Sequence, residues 1–353
     1  MSNSQPRLGL FIYLFSLLSL FDAFSGPAVD GFLLPSTSRR RYPTKHHDSS
    51  RTLLTRQVQR VMSATPAVGI AVIPGVDSNR PQKVNQDSFF CEQCADGSLL
   101  VGVLDGHGLK GHIVSQFIAE QLPTMMQQQL LSPSPYFEEQ IRRLAGQREE
   151  SMFRSENMYE QAMIHAFHQV HHVATENATV PAGRSGTTCI ACWIQEDSFH
   201  VAYVGDSRAV QFSSSQPTPR TVAIPTTTQE MPFELEMIES GEGRVDGNGN
   251  VWYGPVAIAM TRALGDACML RAGVVPTPLT ATFPRPTEGS SILVLATDGI
   301  WDVLSLEMVQ ELVENGVSEQ EIAQTLADTA RSLWIGDFVD EKADDITCLV
   351  VRI

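Results

Sequence analysis

The chain has 353 residues, 42% of them hydrophobic, which is the composition of an ordinary protein with a substantial core rather than of a disordered or fibrous one. Its formal net charge of −15 argues against a nucleic-acid partner, because phosphate backbones are bound by basic surfaces. Six cysteines are too few for a disulfide scaffold in a chain of this length. The simplest division is a leader followed by one large domain.

Residues 1–25 have the pattern of a signal peptide. The uncharged stretch Leu8 to Phe21 has the length of a signal-peptide core and is shorter than the roughly 20 residues that a membrane span needs. The following stretch, Ala23 to Arg60, carries seven basic residues against two acidic ones, a composition typical of a transit peptide. We interpret residues 26–66 as a basic transit-like or disordered segment.

A signal core that leads into a transit-like stretch through Asp22 to Pro27 resembles the bipartite leaders that direct proteins into plastids of secondary origin. This resemblance favours entry into the secretory pathway and then a plastid, with no stable membrane span once the leader is cleaved. Plain secretion and an uncleaved anchor with a basic linker stay open as alternatives.

Residues 67–353 alternate short β-rich runs with longer amphipathic stretches and are predicted to form one folded domain. The predicted strands are Leu99 to Leu104, Cys189 to Ile194, His200 to Val204, Ile292 to Ala296 and Thr347 to Val351. The predicted helices are Ile113 to Leu131, Met158 to Glu176, Ser305 to Asn315 and Ser318 to Leu333, the last opening with a capping box. Clustered strands without strict alternation favour an α+β layered fold over a doubly wound parallel sheet.

Two alternative metal patterns are weak. Cys91/Cys94 and Cys189/Cys192 have zinc-knuckle spacing, but Cys189 and Cys192 lie in one predicted strand, where a separation of three puts them on opposite faces. They are better interpreted as small apolar residues. The histidines His165, His168, His171 and His172 lie along one predicted helix, and we expect an exposed polar stripe there.

Several predicted strands run straight into an aspartate followed by small or turn-forming residues. Asp105-Gly106-His107-Gly108, Asp206-Ser207-Arg208 and Asp298-Gly299 each follow such a strand. A single Asp-Gly is well explained as a turn, because Asp bonds its own backbone and Gly accepts positive φ. Several carboxylates gathered at one edge of a sheet would repel one another unless a cation lay between them, and oxygen ligands select Mg²⁺ or Mn²⁺ over zinc.

The ordered motifs of this domain are specific. They are Asn85-Gln86-Asp87, Asp105-Gly106-His107-Gly108, Ser185-Gly186-Thr187-Thr188, Val204-Gly205-Asp206-Ser207-Arg208-Ala209, Thr261-Arg262-Ala263-Leu264-Gly265-Asp266, Thr297-Asp298-Gly299-Ile300-Trp301-Asp302 and Asp344-Asp345-Ile346-Thr347. This set resembles the metal-dependent protein phosphatases (PPM-type, type 2C), which hydrolyse phosphoserine and phosphothreonine in proteins. The resemblance implies two packed antiparallel β-sheets flanked by helices, an α-β-β-α sandwich.

The resemblance also implies roles for single residues. Asp105 would bridge two Mg²⁺ or Mn²⁺ ions, Gly106 would offer its carbonyl to one ion, and Asp298 and Asp344 would complete the shell of the other. Asp87 would bind an ion directly or hold a water molecule on it, and Asp206 and Asp302, with Asp298, would form a weaker third position. His107 would act as general acid toward the leaving serine or threonine oxygen. Asp266 is expected to organise backbone near the cleft.

The substrate phosphate needs a cation, and here the chain departs from the family. Gln82 stands where many members carry an arginine five residues before the position of Asp87. Lys83 and Arg80 are the neighbouring candidates, and in an extended segment Lys83 and Asp87 share a face. Gln86, Asp345 and the stretch 226–232 also differ from the common pattern, but the principal ligand positions are retained.

An active phosphatase is therefore expected, with phosphorylated proteins as substrates and a monomer as the working form. Two alternatives stay open. One is a catalytically dead phosphatase-fold protein that binds phosphorylated partners. The other is a metallohydrolase of small phosphate esters.

Overall fold

A computed structural model describes residues 68–133, 157–286, 289–336 and 342–353. The predicted leader, residues 1–25, and the segment 26–66 lie outside the described residues. No helix in the described ranges is long and apolar enough to cross a membrane.

The strands, in chain order, are β1 (Val68–Ile73), β2 (Asp87–Gln93), β3 (Leu99–Gly108), β4 (Ser185–Thr187), β5 (Cys189–Ile194), β6 (Ser198–Val204), β7 (Arg208–Ser213), β8 (Gln216–Ala223), β9 (Arg244–Val245), β10 (Val251–Tyr253), β11 (Val256–Ile258), β12 (Leu264–Gly265), β13 (Leu279–Pro284), β14 (Ser291–Ala296) and β15 (Ile346–Arg352). The α-helices are α1 (Gly111–Leu131), α2 (Met158–Glu176), α3 (Leu235–Ser240), α4 (Asp298–Trp301), α5 (Leu306–Asn315) and α6 (Glu319–Gly336). Short 3-10 helices cover Pro232–Glu234 and Ala267–Ala272.

Two antiparallel sheets form the centre of the fold. One has the strand order β1-β15-β14-β7-β8, and the other has the order β12-β4-β3-β5-β6-β13 with β2 paired to β3. A small third sheet, β11-β10-β9, packs with α3 around its own apolar cluster. The pairing is antiparallel in all the registered strand pairs of the two large sheets.

The alternation of side chains along each strand builds three apolar layers. Val101 and Val103 of β3 join Leu293 and Leu349 of the other sheet in the layer between the sheets. Leu100 and Leu104, the alternate residues of β3, face α1 and α2. Val294 and Val350 face α5 and α6 on the opposite outer surface. The order helices, sheet, sheet, helices confirms the predicted α+β sandwich.

The predicted elements are confirmed with small changes of bounds. The helix Met158–Glu176 and the strand Cys189–Ile194 begin and end where the sequence predicted. The predicted capping box is present in its first half, because Ser318 Oγ accepts the Glu321 N–H at 3.2 Å. The largest difference is β3, which continues four residues beyond the predicted Leu104 and ends at Gly108.

The prediction of an exposed histidine stripe is wrong. His165, His168 and His171 of α2 are buried, and His172 alone of the four is exposed. His168 Nε2 lies 3.0 Å from Thr277 Oγ1, and burial lowers the pKa of His168 to about 3. The spacing of the histidines did not indicate exposure, because neutral histidines that make hydrogen bonds can be buried on a helix face that packs on a sheet.

The two cysteines of β5 are buried on opposite faces, as predicted. Cys189 packs in the layer under α1 and α2, while Cys192 packs between the sheets. Burial raises the pKa of Cys192 above its ordinary range. All six cysteines are free thiols.

Candidate metal centre and catalytic residues

Two neighbouring strands carry the first pair of predicted metal ligands. β2 and β3 pair with Asp87 opposite Asp105, and residues directly opposite each other in an antiparallel pair hold their side chains on the same face. The prediction that Asp105 follows the end of its strand is wrong, because the next residues, Gly106 to Gly108, pair with β4. Asp105 is therefore fixed within a sheet and not on a loop.

The other predicted ligands come from the facing sheet. Asp298 opens α4 directly after β14, and Asp344 precedes β15. β14 and β15 are antiparallel neighbours, so the end of one and the start of the other lie at the same edge. Thr297 links the two sheets at this edge, because its Oγ1 donates a hydrogen bond to Asp87 Oδ2 at 2.9 Å.

The carboxyl groups at this edge lie close together, with Asp87 buried and Asp105 and Asp298 half-buried. Burial, followed by the charge of Asp345, raises the pKa of Asp87 to about 7. Burial, followed by the charges of Asp298 and Asp87, raises the pKa of Asp105 well above its ordinary value. Burial, followed by the charge of Asp206, does the same to the pKa of Asp298. The edge thus concentrates negative charge at a cost that a cation would relieve.

Asp206 and Asp302, predicted for a weaker third ion, belong to the same electrostatic group. Burial, followed by the charge of Asp206, raises the pKa of Asp302 to about 6, against the opposing effect of Arg208. Burial also raises the pKa of Asp206, while the charge of His107 opposes it. Asp344 acts on the pKa of both groups.

The donor atoms of the cluster fit a hard divalent cation. They are carboxylate oxygens, which Mg²⁺ and Mn²⁺ prefer. Asp87 Oδ1 is buried, and neither it nor the neighbouring Thr347 hydroxyl makes a hydrogen bond of normal geometry. Across the described ranges, no three His, Cys, Asp or Glu side chains are already spaced to hold an ion.

Gly106 lies where two backbone segments pass closely. Its N–H donates to Gln86 O at 3.1 Å, and a Cβ at this position would lie 2.5 Å from Gln86 O and 2.7 Å from Gly111 O. Glycine is thus required by packing. Its carbonyl as an ion ligand stays a prediction.

His107, the predicted general acid, is held by Asp266. His107 Nε2 lies 2.5 Å from Asp266 Oδ2. Burial works to lower the pKa of His107, but the charge of Asp266 and this hydrogen bond outweigh it, so the pKa is raised. Asp266 adopts the left-handed conformation, with φ of 44°, and is 3% exposed. Such backbone strain is tolerated where surrounding structure fixes it.

The pairing of His107 with Asp266 was not predicted from the sequence. A Cβ on Gly186 would lie 2.1 Å from Asp266 Oδ2 and 2.8 Å from His107 Nε2. Gly186 and Gly265 are opposite each other in the pair β4 and β12. Two glycines in separate motifs were the available signal, because glycine in a strand marks close approach of other groups.

Comparisons with known proteins agree with this geometry. A family model described as protein phosphatase 2C matches residues 83–334. The chain belongs to the protein phosphatase 2C family. It is 30% identical over 282 residues to probable protein phosphatase 2C 65 of Arabidopsis thaliana, covering 76% of this chain and 72% of the relative. It is 31% identical over 289 residues to probable protein phosphatase 2C 48 of Oryza sativa subsp. japonica, covering 75% and 79%.

The fold is also similar to that of solved protein phosphatases. The crystal structure of a serine-threonine phosphatase 2C from Toxoplasma gondii matches with a TM-score of 0.64 at 19% identity, covering 82% of this chain and 96% of the other. A serine/threonine phosphatase from Staphylococcus aureus matches with a TM-score of 0.52 at 18% identity, covering 82% and 96%. The resemblance and the fold class are thereby confirmed, and family membership supports a protein phosphatase enzyme.

In this protein phosphatase 2C domain, Lys83 and Arg80 lie in different settings. Lys83 Nζ lies 3.0 Å from Asp344 Oδ1 and 3.0 Å from Asp345 Oδ1, which places the ammonium beside a predicted metal ligand. Burial alone would lower the pKa of Lys83. The charges of Asp344 and Asp345 outweigh the effect of burial, so the pKa of Lys83 is raised. Arg80 pairs with Asp77 and its side chain is 70% exposed. Lys83 is therefore the better-placed candidate.

Two tryptophans of the phosphatase domain anchor the Asp298 turn. Trp334 of α6 donates its indole N–H to Gly299 O at 2.8 Å. Trp301 donates to Ala296 O at 3.0 Å and to Arg208 O at 3.1 Å. These contacts attach the turn to the strands on one side and to α6 on the other, and the sequence pattern did not single out Trp334.

Proposed function

We propose that this protein is an active serine/threonine phosphoprotein phosphatase, in which water attacks the phosphate without a phosphoenzyme intermediate. The observation that carries the proposal is that Asp105 and Asp298, whose pKa values are raised by burial and by neighbouring carboxylates, meet the His107–Asp266 pair at one end of the sandwich. Perturbed carboxyl groups beside a histidine whose pKa is raised are characteristic of a site for chemistry.

The carboxylates would hold the metal ions. Asp87, Asp105, Asp298 and Asp344, with the Gly106 carbonyl, would bind two Mg²⁺ or Mn²⁺ ions, and Asp206 and Asp302 would contribute to a third, weaker position. When bound, such ions lower the pKa of water and neutralise charge on the phosphoryl oxygens. Thr297 orients Asp87 by its hydrogen bond.

His107 would complete the hydrolysis. Asp266 Oδ2 lies 2.5 Å from Nε2 of the ring, and the cationic ring carries the proton that the leaving oxygen needs. As the bond between phosphorus and the leaving oxygen breaks, that oxygen takes the proton and departs as a serine or threonine hydroxyl. Asp266 keeps the ring cationic and fixes its plane, so that the proton is present when the bond breaks.

Lys83 would bind the substrate phosphate in place of the arginine that many family members carry. Two of the three ammonium N–H groups have carboxylate partners in Asp344 and Asp345. The remaining N–H is available for a phosphoryl oxygen, as a point contact rather than as a bidentate fork.

A comparison of substrates tests the proposal. Purified protein supplied with Mn²⁺ should release phosphate from a phosphothreonine peptide, and should do so with a kcat/KM well above that for sugar phosphates. A preference for sugar phosphates would indicate a hydrolase of small phosphate esters. Peptide binding without phosphate release, at any Mn²⁺ concentration, would indicate a binding protein and would contradict the proposal.

The leader supports a second proposal, which concerns location. The stretch 1–66 would carry the enzyme into the secretory pathway and on to a plastid of secondary origin, with the mature chain beginning between Phe24 and Met62. A fluorescent fusion of residues 1–66, expressed in a cell with such a plastid, should label it. Uniform cytosolic fluorescence would contradict this proposal, and fluorescence in the medium would favour plain secretion.

A further inference from the structure

The segment before β15 and the loop before β2 are joined side by side. Val76 and Ala343 exchange two backbone hydrogen bonds, of 3.0 and 2.9 Å. Asp345 Oδ1 accepts the Gly75 N–H at 2.6 Å, and Asp345 Oδ2 accepts the Gln86 N–H at 3.0 Å. The side chain of Asp345 is 6% exposed, so these bonds are protected from water.

The same carboxylate receives Lys83. Its Nζ lies 3.0 Å from Asp345 Oδ1, and the Lys83 side chain is 16% exposed. A Cβ on Gly75 would lie 2.3 Å from this Nζ, so the backbone passes directly against the ammonium. Lys83 is thereby confined by Asp345 on one side and by the Gly75 backbone on another. A lysine otherwise moves freely on a four-carbon stem.

Position 345 requires an acceptor at both side-chain atoms. One oxygen serves Gly75 and Lys83, and the other serves Gln86. An asparagine there would present its amide nitrogen, which only donates, to one of these donors. A buried donor would then lose its partner, and the lysine would lose a charged neighbour.

We propose that Asp345 is a positioning residue for phosphate binding: it fixes Lys83 Nζ beside Asp344 so that the uncommitted N–H meets a phosphoryl oxygen of the substrate. The proposal rests on the phosphatase function proposed above and on Lys83 as its phosphate ligand. Asp345 itself touches neither substrate nor reacting atoms. Its effect on activity therefore passes through Lys83.

The test is a double-mutant cycle on the full chain, with the variants D345N, K83A and D345N/K83A. Each is measured for KM and kcat on a phosphothreonine peptide and for the inhibition constant of inorganic phosphate. We expect KM and the inhibition constant to rise about tenfold in K83A, the effect of losing one charge-assisted hydrogen bond. D345N should raise them similarly, with kcat nearly unchanged, because ground-state binding is what is lost. The double variant should be no worse than K83A.

Two controls separate positioning from general damage. D77N weakens the neighbouring aspartate–cation pair of the same loop, in which Arg80 Nε lies 2.7 Å from Asp77 Oδ2, and should leave the phosphate inhibition constant unchanged. The affinity for Mn²⁺, measured by calorimetry, should be the same in D345N and in K83A as in the unaltered protein. Should D345N fail to fold, D345E keeps two acceptor oxygens but shifts them by one methylene, and its inhibition constant provides the same readout.

Three results would overturn the proposal. Effects of D345N and K83A that multiply fully in the double variant would show that Asp345 does not act through Lys83. A loss of Mn²⁺ affinity in D345N that K83A lacks would assign Asp345 to the metal ligands. Unchanged phosphate inhibition in both single variants would remove Lys83 as a phosphate ligand. The proposed function fails separately, if the unaltered protein does not hydrolyse the peptide.

Discussion

Aspartates at the same end of the sandwich occur in two kinds of surroundings. Asp345 accepts hydrogen bonds from two backbone N–H groups and from Lys83, and Asp266 pairs with His107. Asp105 and Asp298, by contrast, face other carboxylates, and burial, followed by the charges of these neighbours, raises the pKa of both. Where donors from the protein satisfy both carboxylate oxygens, as at Asp345, the residue maintains the shape of the site. Where they do not, the residue marks a place that a cation would occupy.

The largest expected effect comes from the unbalanced group. Asp105→Asn and Asp298→Asn should each lose nearly all phosphatase activity, since each removes a carboxylate that metal ions need. The metal-free variants should melt no lower than the unaltered protein, because the substitution relieves repulsion between carboxylates. Activity and thermal melting of purified protein check both statements.

Asp96→Asn is a matched control for these variants, because Asp96 only closes a surface turn by bonding to Ser98. It should keep full activity. Near-normal turnover in Asp105→Asn would show that the ligand assignment is wrong.

The second effect concerns the balanced pair around His107. His107→Gln should lower kcat by about 10²- to 10⁴-fold, the range for loss of a general acid. Asp266→Asn should lower kcat less, since the ring stays in place but loses the charge that raises its pKa. The alkaline limb of the pH–kcat profile should then move to lower pH.

Steady-state kinetics at several pH values check this prediction. An unshifted limb in Asp266→Asn, together with an unaltered kcat, would mean that the pair is structural only.

The third effect is the pH dependence of stability without metal. A carboxyl group whose pKa in the folded protein is raised stabilises the fold below its ordinary pKa, and this contribution is lost as pH rises through the folded value. For Asp87 and Asp302 those values are about 7 and about 6. The Tm of chelator-treated protein should therefore fall from about pH 4 to about pH 7, and Mn²⁺ should restore it most above that range.

Thermal melts across this range, with Asp105→Asn as comparison, measure the slope. Asp105→Asn should flatten it. A Tm of metal-free protein that rises steadily up to pH 8 would contradict the raised pKa values.

The layered fold and most elements could be predicted from sequence because they depend on periodicity. Cys189 and Cys192 illustrate this, since their separation of three placed them correctly on opposite faces of β5. The buried histidines of α2 could not be predicted this way. Thr277 lies 109 residues from His168, and Gly265 lies 94 residues from His171, so no local pattern shows that these histidines are satisfied.

The site shows the same limit. The aspartates stood out because each lies beside a strand, but their neighbours depended on contacts between separate motifs. Asp266 reaches His107 across 159 residues, and Lys83 reaches Asp344 across 261. Glycines 75 and 186 permit these two contacts.

The central claim is that the unbalanced carboxylates exist to bind divalent ions that hydrolysis requires. Its most direct test is Mn²⁺ titration of exhaustively chelated protein, followed in parallel by calorimetry and by phosphate release from a phosphothreonine peptide. We predict no release before Mn²⁺ is added, release that rises with ion binding, and loss of both in Asp105→Asn. Full hydrolysis by the chelated protein, or Mn²⁺ binding that is unchanged in Asp105→Asn, would contradict the account.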